Sequence, residues 1–188
     1  MQDRISLTTT VLAAVIFLYS ATFPGSLAIK ALFAAVLLFA GFILHITVLG
    51  GLRRDEFIDQ REGKQILMGF IASFIVIVFF NSVFNQCYTG QTTSFEIRML
   101  AILLAVSEEQ FFRGFITPYL AQKMGVWLGS VMSGFVFTIY HFAVYGSNID
   151  ALSVVFLAGT CLSLVVLWSR RVSPAILAHI VNNLLAAG

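Results

Sequence analysis

Residues 97–118 read IRMLAILLAVSEEQFFRGFITP, a mostly apolar stretch into which Ser107-Glu108-Glu109-Gln110 and Arg113 are set. About 20 predominantly apolar residues in helix suffice to cross the hydrocarbon of a bilayer. An ionisable group near the bilayer centre costs roughly 2.5–3.5 kcal/mol, so two adjacent carboxylates there need partners or a purpose. The rest of the chain decides that this is a membrane segment and not the core helix of a soluble protein. Of 188 residues, 59% are apolar, 19 are Phe and only 11% are charged, against about 25% charged in an ordinary globular domain. The mean hydropathy is +0.94. Eleven Lys and Arg with nine Asp and Glu cannot cover the surface of a soluble protein of this size. A cytosolic enzyme is thereby excluded, and so is a disordered chain, which needs low hydrophobicity. The net charge of +2 is too small for a polyanionic partner, so no nucleic acid is expected. The fold class is an all-α, polytopic transmembrane helical bundle.

Working outward, residues 5–23, 31–52, 66–87, 97–118, 126–145 and 151–168 each qualify, or nearly so, as spans, and a shorter seventh covers 174–187. Ser173 and Pro174 suit the N-cap and first position of that last helix. Segment 5–23 is long for a signal-peptide core and lacks a small-residue cleavage site, so it counts as a span. The chain then reads as one integral-membrane domain, 1–188, of about seven spans. With seven, Arg4, Arg53, Arg54, Arg61, Lys64, Lys123, Arg170 and Arg171 collect on one face, Arg113 lies nearer that side, and the other face holds only Lys30 and Arg98. The positive-inside rule places the N-terminus in the cytoplasm and the C-terminus outside, which in a prokaryote means the plasma membrane. The sign-mixed loop at 53–65 reads as a solvated connector. Cys87 and Cys161 have neither a CxxC spacing nor an activating base and read as small apolar residues.

Three segments in the half at 97–188 carry polar groups without a packing excuse: Glu108-Glu109 with Arg113, Phe137 with His141, and His179 with Asn183. Successive helical residues point about 100° apart, so the two glutamates face different ways. Glu109 and Arg113 stand i, i+4 in the favourable order for an ion pair, which frees Glu108. His179 and Asn183 share a face at the same spacing. Phe137, one turn before His141, can exclude water or position the ring. If the hairpin between the fourth and fifth spans turns near Gly125, Glu108 and His141 both lie about 25 Å from its tip and are level. His45 alone in the second span reads as a satisfied hydrogen-bonding residue, and Asn81 and Asn85 as interhelical bonds.

The ordered set EExxxR, FxxxH and HxxxN resembles the CPBP family, named for CAAX proteases and bacteriocin-processing enzymes. Its members include the type II CAAX prenyl endopeptidases, or Ras-converting enzymes. The resemblance covers about 97 to the end of the sequence, and family members often continue for another span after the third motif. It implies a helical intramembrane protease whose site opens toward the cytosolic side. Carried onto this sequence, Glu108 is the general base, His141, His179 and Asn183 complete the catalytic site, and Glu109 and Arg113 support it. The implied partners are membrane lipid and a peptide or protein substrate, C-terminally prenylated in the type II endopeptidases. Many bacterial members are linked instead to bacteriocin immunity or peptide maturation.

The residues suit that chemistry in their own right. Amide hydrolysis needs an activated water, an oxyanion donor and an acid for the leaving amine. Glu108 can take a proton from water held by His141 and return it to the leaving nitrogen, while His179 and Asn183 donate to the oxyanion. No cofactor is required on this scheme. A zinc version would use Glu108, His141 and His179, although the HExxH pattern is absent. Two other classes use the same residue types. A proton-coupled transporter also needs intramembrane Glu and His, but no internal repeat or paired broken helices are visible. A non-proteolytic immunity or scaffolding protein would keep the fold and residues without turnover.

Overall fold

The computed structural model describes residues 15, 16, 18–20, 22–49, 61–83 and 94–186, and all regular structure among them is helical. In chain order the elements are α1 (Leu27–Leu49), α2 (Arg61–Val83), α3 (Phe95–Phe111), a π-helix (Phe112–Ile116), α4 (Thr117–Met124), α5 (Val126–Tyr145), α6 (Ile149–Ser169) and α7 (Ser173–Ala186). Residues 15, 16 and 18–20 are also helical. Most of the expected first span, together with the loop at 53–60, Asn85 and Cys87, lies outside the described residues.

The ends follow from local chemistry. Ser94 has extended backbone and its Oγ accepts from the Ile97 N–H at 3.5 Å, with Glu96 in the first turn of α3, where a negative charge suits the helix dipole. Asn148 caps α6 through Oδ1, accepting from the Ala151 N–H at 3.1 Å. Between α4 and α5 the chain reverses at Gly125, with φ 85 and ψ 164, a conformation that glycine adopts without steric cost. The turn stands where the sequence puts it.

The segment at 97–118 departs from a plain helix. It runs from Phe95 to Met124 through five residues of π-helix, in which the Thr117 N–H reaches back to the Phe112 carbonyl. Pro118 has no N–H to offer the carbonyl four residues earlier, that of Gly114. His45 of α1 supplies the bond instead, its Nδ1 donating to the Gly114 carbonyl at 2.6 Å. The lone histidine of the second expected span is thus a hydrogen-bonding residue, as its sequence context suggests.

Among the described residues three helices, α1, α5 and α6, are long and apolar enough to cross a membrane, with hydropathies of 2.5, 1.4 and 2.3 over their best windows. Shorter apolar stretches occupy Lys64–Phe80 of α2 and Ser173–Leu185 of α7. The count falls below seven because α3 is broken by the π-turn after 17 residues, because α7 has 14 and because 5–23 is mostly undescribed. Large apolar side chains lie outside the bundle all along it: Leu32 and Phe39 on α1, Phe79 on α2, Ile139 on α5. Backbone bonds closed within helices and apolar side chains turned outward are what lipid demands. The chain is an integral membrane protein with a helical-bundle fold.

Two packed regions flank the centre. One joins Phe33, Leu37 and Leu44 of α1 to Phe111, Phe112, Phe115 and Ile116, and to Phe137 and Tyr140 of α5. The other joins Ile77 of α2 to Leu162 and Val166 of α6 and Ala175 and Ala178 of α7. The last turn of α3 lies between them and brings Glu108 and Glu109 to α5 and α7.

Candidate active site

Glu108 and Glu109 are both buried, at 5% and 0% exposure, and their carboxylates point to different neighbours, as 100° per residue requires. Glu109 pairs with Arg113, Oε2 to Nε at 3.3 Å, with both side chains fully buried. Arg113 belongs to the π-helix. Its Nη2 donates to the Gly159 carbonyl of α6 at 3.3 Å, and its guanidinium lies 3.9 Å from the ring centroid of Phe137. Nη1 has no hydrogen-bond partner among the described residues, so the electron-rich ring face takes up part of the remaining charge, a contact worth about 2 kcal/mol when desolvated. Phe137 therefore does more than pack against His141. Its ring centroid is 4.2 Å from that of His141, and its carbonyl bonds the same imidazole.

The histidines present matching atoms. His141 Nδ1 lies 2.9 Å from the Phe137 carbonyl. A carbonyl only accepts, so Nδ1 carries the proton and Nε2 is the atom turned to Glu108. His179 Nδ1 lies 2.9 Å from Glu109 Oε1, and its Nε2 also faces Glu108. Both Nε2 atoms are 3.9 Å from the same oxygen, Glu108 Oε2. That spacing is too long for a direct hydrogen bond and leaves room for a water to bridge. It sets a carboxylate oxygen and two ring nitrogens around one point, from three helices. The level placement of Glu108 and His141 follows the hairpin reckoning from Gly125.

Asn183 lines the same cavity, one turn after His179, while its Nδ2 donates to the Ala101 carbonyl at 3.3 Å. Its amide is engaged with the α3 backbone and not with the histidines. The cavity, of about 240 Å³, is also lined by Tyr19, Ile77, Leu104, Tyr145, Val154 and Asn182.

The cavity lies partway along the bundle, with Val144, Tyr145, Val154 and Val155 toward the helix ends marked by Tyr145 and Ile149, and Leu162 toward the end of α6 at Ser169. Lys123, Arg170 and Arg171 mark the opposite ends of α4, α6 and α7.

The sequence reading missed the bond from His179 to Glu109 and the part played by Tyr140, whose hydroxyl donates to Glu108 Oε1 at 3.2 Å. A tyrosine next to the histidine of FxxxH is the signal that could have found it. Both imidazoles hold their Nδ1 proton on an acceptor, the arrangement that frees Nε2 for a ligand. Among the described residues no group of three or more His, Cys, Asp or Glu side chains has the geometry of a metal cage.

A family model described as Rce1-like, type II CAAX prenyl endopeptidase Rce1-like, matches residues 70–185. The match takes in all three motifs and begins before the first of them, so it includes the second half of α2. Comparison with curated proteins and with solved structures gave no match.

Proposed function

The chain belongs to the Rce1-like family of type II CAAX prenyl endopeptidases, and from that premise we propose that it is an intramembrane endopeptidase that hydrolyses a peptide bond with a glutamate-activated water. The observation that carries this reading is the convergence of Glu108 Oε2 with two imidazole Nε2 atoms, each at 3.9 Å. A water held among them can give its proton to Glu108 as it attacks a carbonyl carbon, with His141 orienting it. His179, held by Glu109 through Nδ1 and carrying a second proton on Nε2, can donate to the oxyanion. Asn183 can join by exchanging its bond to Ala101 for one to the substrate. The protonated Glu108 then returns its proton to the departing amine, which completes general acid–base catalysis with a single carboxyl group. The cavity is lined on one side by Val154, Val155, Ala158 and Leu162, an apolar wall suited to a substrate with a lipid-modified or hydrophobic C-terminus.

Incubation of the purified protein in detergent with prenylated and unprenylated peptides, wild type beside Glu108→Gln, tests the proposal. Cleavage by wild type that is lost in Glu108→Gln supports it. Absence of cleavage by well-folded wild type across both peptide classes overturns it in favour of a non-proteolytic member of the same fold.

A further inference from the structure

Tyr140 stands one residue before His141 on α5, yet both reach Glu108. The long phenol crosses to Oε1 at 3.2 Å, while the shorter imidazole faces Oε2 at 3.9 Å. Tyr140 is 1% exposed. Its ring is stacked on Tyr19 at 4.1 Å between centroids and 19° between planes, and it meets Phe112 edge-on at 5.1 Å. Aromatic contacts on two sides fix where the hydroxyl ends. Packing would be served equally well by phenylalanine, which abounds in this chain. A buried hydroxyl is costly unless it is bonded, and here its bond is to the carboxylate at the centre of the site.

We propose that Tyr140 is a positioning residue for Glu108: its hydroxyl holds Oε1, so that Oε2 is the oxygen presented to the two histidines. The inference rests on the reading of Glu108 as the base. A carboxylate free to rotate about its last bond would offer either oxygen, and would spend part of its time turned away from the water site. Clamping one oxygen leaves a single aligned acceptor, the preorganisation that productive proton transfer needs. Tyr140 acts on the reaction only through Glu108 and is not itself expected to touch substrate.

Tyr140→Phe, in the full chain in detergent, removes the hydroxyl and keeps the stacked ring. Its kcat should fall about tenfold, the factor that corresponds to one ordinary hydrogen bond, with KM changed less than twofold and the melting temperature unchanged. Infrared spectroscopy supplies a reading that needs no turnover. The tyrosine C–O stretch that disappears in Tyr140→Phe should be shifted in Glu108→Gln relative to wild type. A kcat within twofold of wild type, a loss that appears in KM alone, or a fall in kcat that tracks a lower melting temperature would each overturn the proposal. So would a tyrosine band indifferent to Glu108→Gln, even if Tyr140→Phe proved unstable. If wild type cleaves nothing, the protease reading fails and the infrared comparison alone decides whether the clamp exists.

Discussion

His179 donates through Nδ1 to Glu109 Oε1 at 2.9 Å, while the other oxygen of the same carboxylate faces Arg113 Nε at 3.3 Å. The second glutamate of the pair thus ties α7 to the π-helix, and the first is left to the cavity. Arg113 extends the chain of contacts to Gly159 on α6 and Phe137 on α5. One buried ion pair therefore fixes the mutual placement of the helices that carry the site.

The two glutamates should fail in opposite ways. Glu108→Gln removes the base and should lower turnover by about 10²–10⁴-fold, the usual contribution of an acid–base group, with little change in melting temperature. In Glu109→Gln the amide oxygen can still accept from His179, but the buried Arg113 loses its paired carboxylate. Breaking a buried pair from one side costs about 3–5 kcal/mol, so this variant should melt well below wild type while retaining measurable cleavage. Thermal melts and peptide turnover measured on both proteins check the crossed pattern; equal turnover in Glu108→Gln and wild type would sink the assignment of the base.

How far the sequence carries can be judged residue by residue. The i, i+4 spacing of Glu109 and Arg113 and the turn at Gly125 are local properties, and local periodicity shows them. The level of Glu108 with His141 follows from counting rise along two helices joined by a short turn. The bond from His179 to Glu109 crosses 70 residues of chain, and no spacing rule reaches that far. The π-turn has no periodicity that announces it, and the donor to its Gly114 carbonyl, His45, comes from another helix. Asn183 was expected to aim at the water site, but a backbone carbonyl, that of Ala101, lies within its reach and takes its amide.

His45 and Pro118 should be coupled. Removing the imidazole in His45→Ala leaves the buried Gly114 carbonyl without that donor, at a cost of about 1–3 kcal/mol. Pro118→Ala restores an N–H four residues on, so the double variant should recover part of that loss. Thermal stability of the two single variants and the double variant gives the coupling directly. Strictly additive losses would show that the proline and the histidine do not share the carbonyl.

At Gly134, α5 lies close against α6. A Cβ added there would run into Thr160 Oγ1 and stand 3.0 Å from the Phe156 carbonyl. Small residues that let backbones meet are the usual device for packing helices in lipid. Gly134→Ala should cost about 1–3 kcal/mol through overpacking. It should also reduce turnover, because Phe137 and His141 lie on the following turns of α5 and Gly159 opposite holds Arg113. Gly134→Ala combined with Thr160→Ala should recover only part of the stability, since the Phe156 carbonyl remains in the way. Full recovery would show that the side chain and not the backbone sets the distance.

Prolonged chelation should leave cleavage unchanged if Glu108 activates water directly. The control is informative because both imidazoles already offer Nε2 to the point that Glu108 faces. Loss of activity on chelation, restored by zinc, would instead assign Glu108, His141 and His179 as ligands, with the metal supplying the activated water. Metal content of the purified protein, measured beside activity, distinguishes a bound cofactor from an adventitious effect.

The last prediction concerns which way the bundle lies in the membrane. Lys123, Arg170 and Arg171 lie together at one end, because α5 and α6 run antiparallel and α7 starts beside the end of α6. Trp127 and Trp168 lie at that same end, both well exposed, where aromatic rings favour the headgroup region. The Lys and Arg excess predicts that this end, with the loop at 53–65, is cytoplasmic. Asp150 and Tyr145 then face outward. Single cysteines placed in that loop and at Asp150, in a chain otherwise free of cysteine, test this on intact cells with an impermeant reagent. The loop should be protected and position 150 labelled. The reverse pattern would overturn the orientation that the charge bias predicts.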